Sequence, residues 1–129
     1  MREILFRGKR KLGGTWNYGD LVHCTDNLVA VSDEEGNFVN VRPETVGQYT
    51  GFTDKNGTKI FEGDIILVAR AESDGIFVVR FMERWAAFGL RNEQSKCYLD
   101  LFQSLRNLYT VIGNIHDNPE LLSRKENEQ

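Results

Sequence analysis

Long apolar runs are missing from this chain: no stretch approaches the roughly 18 consecutive apolar residues that a membrane helix requires. The start does not read as an export signal either, because MREILFRGKRKLGG flanks a very short apolar piece with charge on both sides. The expectation from these two absences is a cytoplasmic protein with no membrane association. Cysteine is scarce, with only Cys24 and Cys97 in 129 residues. In a chain without an export signal, such a distant pair reads as two free thiols. An excess of positive charge is also lacking. Sixteen Lys and Arg against 19 Asp and Glu leave a net charge of −3, whereas a dedicated duplex-DNA binder is usually basic overall.

Metal-ligating residues are equally thin. Cys24, Cys97, His23 and His116 are four conceivable zinc ligands, yet neither cysteine belongs to a C-x2-C pair. Successive side chains on a strand point to opposite faces, so His23 and Cys24 are poorly placed to share one ion. The expectation is no metal and no cofactor.

What the chain does have is β-prone sequence cut by turn signals about every eight to twelve residues, the spacing of a sandwich or small barrel. Hydrophobic residues make up 40% and aromatics 11%, enough for one core, or two small lobes, without disulfides. Ile4 and Phe6 suggest a first strand. Trp16 and Tyr18 lead a second that continues through a bulge at Gly19-Asp20 to His23. Leu28 to Val31 and Phe38 to Val41 pair around Asp33–Asn37. Pro43-Glu44-Thr45 suits one helical turn, since Pro is favoured at the first helical position.

The clearest signal is the stretch from Pro43 to Val68. Asn56-Gly57 between two β-prone runs predicts a type I′ hairpin turn, with both residues at positive φ. Gly63-Asp64 predicts a tight turn into the strand Ile65–Val68, followed by a turn at Glu72–Gly75 and the partner strand Ile76–Phe81. Trp85 to Leu90 reads as the next strand. Cys97 to Asn107 fits either a strand or a short helix, and the spacing of Leu101, Leu105 and Leu108 favours the helix. Tyr109 to Ile115 is a final strand, Asn118-Pro119 caps a last helical turn, and Ser123–Gln129 reads as a frayed tail.

Several of these segments resemble the YopX family. They are Arg2–Arg7, Tyr18-Gly19-Asp20-Leu21, Pro43–Gly51, Asp54–Gly57, Ile60–Ile65 and Ile112–Leu122, spanning nearly the whole chain in order. The resemblance implies a mainly β fold with short helices: an antiparallel meander followed by an SH3-like small barrel. As a domain it is expected to cover residues 1–122, with lobes at 1–42 and 43–122 and a flexible tail at 123–129. It further implies a phage- or prophage-encoded protein without an assigned activity, and members that self-associate. Where many relatives continue the first strand as Ala-Trp-Asp, this chain has Gly8-Lys9-Arg10, so the family pattern lends no meaning to the basic cluster.

No motif for catalysis emerges. Glu62 and Asp64 sit two apart, and neighbouring carboxylates can act as an acid–base pair. The favoured reading is structural: Asp64 binds turn amides, and Gly63 supplies an unusual φ. A cysteine nucleophile needs a base and an orienting group, which the spacing does not supply. Arg7, Lys9, Arg10 and Lys11 are candidate phosphate contacts, with Trp16, Tyr18 or Trp85 as stacking platforms. The leading expectation is therefore a non-enzymatic protein acting through protein contacts or as a homo-oligomer. Nucleic-acid binding through the Arg7–Lys11 loop is the alternative.

Overall fold

The computed structural model describes residues 2–25, 27–69 and 75–123. The expected turn at 72–75, apart from Gly75, and nearly all of the expected tail lie outside these residues. Among those described, the chain forms twelve strands and three short 3-10 turns. It divides into two compact units, Met1–Gly51 and Phe52–Gln129.

In the first unit, β1 (Phe6–Lys9) pairs antiparallel with β2 (Trp16–Gly19), setting Arg7 opposite Tyr18 and Lys9 opposite Trp16. The strand starts later than the apolar alternation suggests, leaving Ile4 exposed. Strands β3 (Leu21–Thr25), β4 (Leu28–Ser32) and β5 (Phe38–Val41) form an antiparallel meander in that order. The expected bulge at Gly19-Asp20 is a sharper break that separates β2 from β3. Asp20 N donates to Ser32 Oγ at 2.8 Å, and Ser32 N donates to Asp20 O at 3.0 Å. A Cβ on Gly19 would stand 2.2 Å from Ser32 Oγ, so only glycine permits this approach.

Val29, Val31 and Val41 form the buried centre, flanked by Leu21 and Val46. Burying each such side chain contributes roughly 1.5–3 kcal/mol. The expected helical turn is present at Pro43–Thr45. The Thr45 hydroxyl donates to Arg42 O and accepts from Lys9 N at 2.9 Å. Strand β6 (Gly47–Thr53) then leads into the second unit. Its first residues pair with β1, Gln48 against Phe6 and Gly47 against Arg7. That pairing moves the division of the chain to Gly51/Phe52, away from the expected Arg42-Pro43.

In the second unit, β7 (Lys59–Phe61) follows β6 across the Asp54–Gly57 turn. The turn is not type I′: Gly57 has φ 82°, while Asn56 stays at negative φ. Gly57 N donates to Asp54 O at 3.0 Å and Asp54 N to Thr58 O at 2.9 Å, which is a four-residue turn closed by a left-handed glycine. The Asp54 side chain decides this choice. Its Oδ1 accepts from Asn56 N and Thr58 N, both at 2.9 Å, and its Oδ2 from Val111 N at 3.0 Å. Asp54 is fully buried, and these three amides satisfy a carboxylate that would otherwise be costly there.

Strands β8 (Asp64–Val68), β9 (Gly75–Met82), β10 (Ala87–Arg91), β11 (Tyr98–Asp100) and β12 (Tyr109–Asn114) make an antiparallel sheet in the order β11-β10-β9-β8-β12. Ile60, Ile66, Val68, Phe77, Val79, Leu90, Leu101 and Tyr109 form its core. The fold is mainly β, but among the described residues this sheet stays open and does not close into the small barrel that the resemblance implies. Strand β11 has only three residues before Leu101 turns into the core, and Phe102 N donates to the Tyr109 hydroxyl at 3.2 Å. The chain then coils through Gln103–Leu108, so β11 and β12 remain separate edges. The ambiguous segment after Cys97 is thus strand first and 3-10 turn second. Leu105 and Leu108 are exposed, so the leucine spacing has no packed stripe behind it.

Candidate functional site

The basic cluster lies on the β1–β2 hairpin of the first unit. Arg7 is buried at 5% exposure, and its guanidinium rests 4.6 Å from the centre of the Trp16 ring. The Lys9 ammonium lies 5.7 Å from the same ring. Arg10 Nε donates to Asn17 Oδ1 at 2.9 Å, and buried Asn17 passes the connection on to Val31 O at 3.3 Å. Lys11 is exposed. Backbone bonds from Lys11 N to Asn40 O and from Arg42 N to Lys9 O hold the loop against the meander. An open groove of about 350 Å³ beside it is lined by Arg10, Trp16 and Tyr18 together with Asp33, Glu34 and Glu35. One cation against three carboxylates repels phosphate more than it attracts it.

The structure brings Arg7, Lys9 and Trp16 together, but as a cation–π stack that covers the ring. Of the four basic residues put forward for nucleic acid, Lys11 is the exposed one.

The remaining sequence candidates are dispersed. Among the described residues, no three His, Cys, Asp or Glu side chains group as metal ligands. Cys24 and Cys97 are both exposed free thiols. Asp64 is buried, and its Oδ2 accepts from Phe61 N at 2.7 Å. Gly63, at φ 92°, sends its N–H to Val79 O and receives Ile115 N at its own carbonyl. These contacts tie the turn into the sheet, a structural use of both residues.

A second constellation, on the β9–β10–β11 face, was visible in the sequence only through Trp85. Four residues, Glu83–Ala86, connect β9 to β10, with Trp85 N donating to Met82 O at 3.1 Å and Ala86 N to Glu83 O at 3.3 Å. Ala86 sits at φ 52°, a left-handed conformation that costs a residue with a Cβ about 1–2 kcal/mol. The turn presents Trp85 edge-on to Tyr98, ring centres 6.3 Å apart, with the two rings 50% and 49% exposed.

Arg91 reaches the Tyr98 ring at 5.7 Å. Its Nη1 donates to Glu93 Oε1 at 3.1 Å, while Arg80 donates to Glu93 Oε2 from Nε at 3.3 Å and Nη2 at 3.2 Å. Arg91 Nε is buried without an acceptor. Arg80, Arg91, Trp85 and Tyr98, with exposed Arg84 and Phe81, line an open groove of about 650 Å³ that Glu62 and Glu83 also border.

A profile of the YopX protein family matches residues 6–123, nearly the whole chain. The chain belongs to the YopX family. Its YopX fold is similar to the crystal structure of protein EF1440 from Enterococcus faecalis. Identity there is 26%, coverage is 95% of this chain and 99% of that one, and the TM-score is 0.60. Among curated proteins, none matches.

A third YopX surface is apolar. Phe102, Leu105 and Leu108, exposed at 49%, 42% and 38%, border a groove of about 470 Å³ whose wall includes Val68, Leu90 and Tyr109. The sequence spacing of Leu101, Leu105 and Leu108 suits one stripe of a short helix. The 3-10 geometry of Gln103–Leu108, with Leu105 at φ −103° and ψ 15°, breaks the helix that such a stripe requires.

Proposed function

We propose that this YopX protein is a small cytoplasmic protein of phage or prophage type that works without catalysis, through contact with other protein chains, a second copy of itself included. The observation that carries this reading is the apolar groove bordered by Phe102, Leu105 and Leu108. Contiguous apolar surface left open to water on a soluble protein is a common mark of an association surface. Strand β11 ends beside this groove as an edge of the sheet. Edge strands that lack other protection are commonly satisfied by pairing between copies.

Sedimentation equilibrium across a wide concentration range tests the reading. The wild-type chain is expected to self-associate, and Leu105→Asp together with Phe102→Ser to shift it to monomer with an unchanged circular-dichroism spectrum. Leu105 is exposed and outside the core, so the variant folds. Self-association by the double variant equal to wild type would remove this groove as the contact surface, and a monomeric wild type would remove the self-assembly reading.

A further inference from the structure

We infer that the β9–β10–β11 face binds single-stranded nucleic acid, with bases stacking on Trp85 and Tyr98 and phosphates meeting Arg84 and Arg91. This goes beyond the protein-contact reading and uses a different surface. Single-strand binders combine half-exposed aromatic rings with cations that follow the backbone, and this groove sets Arg80, Arg84 and Arg91 beside the half-exposed Trp85 and Tyr98. The basic hairpin of the first unit spends its arginine on its own tryptophan. The Phe102 groove is apolar and carries Asp100 but no cation.

The geometry is prepared in three respects. Trp85 and Tyr98 stand edge to face and are each about half exposed, so ring surface remains open for a base to stack on. Arg91 lies against Tyr98 and is oriented by Glu93 through Nη1 alone, which leaves the guanidinium fork donor capacity for a phosphate oxygen. The Glu83–Ala86 turn holds Trp85 at the cost of a left-handed Ala86, and backbone strain of this kind concentrates at functional sites.

The charge count sets the size of the effect. Arg80 and Arg91 share the single carboxylate of Glu93, Arg84 adds one cation, and Glu62 and Glu83 stand at the rim. The face is therefore balanced and short, with stacking the larger contribution. A single strand bound through two phosphates should show a log–log salt slope of about 1.4, from roughly 0.7 per contact. A duplex keeps its base faces stacked internally and is expected to bind far more weakly.

The chain has two tryptophans, so Trp16→Phe leaves Trp85 as sole reporter. This variant is titrated with a short oligothymidylate and with a duplex of equal length, reading tryptophan fluorescence. Anisotropy of the labelled oligonucleotide on the wild-type chain runs in parallel, in case Trp16→Phe perturbs the first unit. Saturable quenching by the single strand, about tenfold weaker binding in Tyr98→Ala and in Trp85→Ala by anisotropy, and no change in the Lys9→Ala/Lys11→Ala double variant are expected. Arg84→Ala should lower the salt slope by about 0.7.

The inference is overturned by a flat titration at low salt, by undiminished binding in Trp85→Ala and Tyr98→Ala, or by equal affinity for the duplex. Loss of binding in the lysine variant would assign the site to the first unit. Because Leu105 and Phe102 lie outside this face, failure of the assembly reading and failure of this one are separately visible.

Discussion

In the β1–β2 hairpin, Arg7 and Trp16 cover each other, and the cation has left solvent almost completely. In the β9–β10 hairpin, Trp85 turns toward Tyr98 and both rings stay half in water, with Arg84 free of the stack. The two hairpins use the same residue types, yet in the first they close an interior and in the second they furnish a surface. The difference comes from register. Arg7 is opposite Tyr18 within a paired strand, with its guanidinium over the Trp16 ring, whereas Arg84 and Trp85 occupy the turn itself. A cluster of cations in sequence thus says little about where positive charge meets solvent.

Inward use of charge is most demanding at Asp54, and its removal is the largest effect expected. Asp54→Ala takes the buried acceptor away from three part-buried backbone N–H groups, and an unsatisfied buried donor costs about 1–3 kcal/mol. A loss of roughly 3–5 kcal/mol follows, read as a fall in the urea midpoint. A loss under about 1 kcal/mol would mean that water replaces the carboxylate, and the turn would then not be clamped.

The hairpin comparison is broken or kept by a pair of arginine variants. Arg7→Ala removes packing against Trp16 together with a cation–π contact, for about 2–3 kcal/mol. Arg84→Ala should stay within about 0.5 kcal/mol, as exposed positions do. Equal effects in thermal or urea unfolding would erase the distinction between the two hairpins.

The strands were legible because alternation and turn residues report local backbone preference directly. Pro43–Thr45 and the Gly63-Asp64 turn follow from the same chemistry. The type I′ turn at Asn56 was misjudged because Asp54, two residues earlier, offers its carboxylate to the Asn56 and Thr58 amides and pulls the chain into a longer loop. Nothing in the dipeptide Asn-Gly reports that. The open sheet was hidden for a similar reason, since whether β11 and β12 meet depends on where Leu101 turns inward.

Of the candidate site, the sequence supplied Trp85 but placed the cations around Trp16. Tyr98, Arg84 and Arg91 are separated by loops whose closure only the fold sets. Glu93, which orients two arginines, carried no local signal at all.

A smaller effect sharpens the same contrast spectroscopically. With Trp85→Phe, the remaining Trp16 should emit to the blue and resist acrylamide; with Trp16→Phe, the remaining Trp85 should emit to the red and quench readily. Matching spectra would mean that the stack over Trp16 opens in solution.

The smallest effect concerns Ala86, whose φ of 52° is the strained element of the β9–β10 turn. Gly at this position relieves about 1–2 kcal/mol of left-handed strain. It also raises the entropy of the unfolded chain, at a cost of about 0.5–1 kcal/mol. The net expectation for Ala86→Gly is a gain of about 0.5 kcal/mol, visible as a small upward shift of the unfolding midpoint. Ala86 is exposed, so its methyl contributes no packing that would offset this gain. A destabilised glycine variant would show that the turn owes its shape to Trp85 meeting Tyr98 and tolerates no added freedom, and the aromatic pair would then be holding the turn instead of being displayed by it.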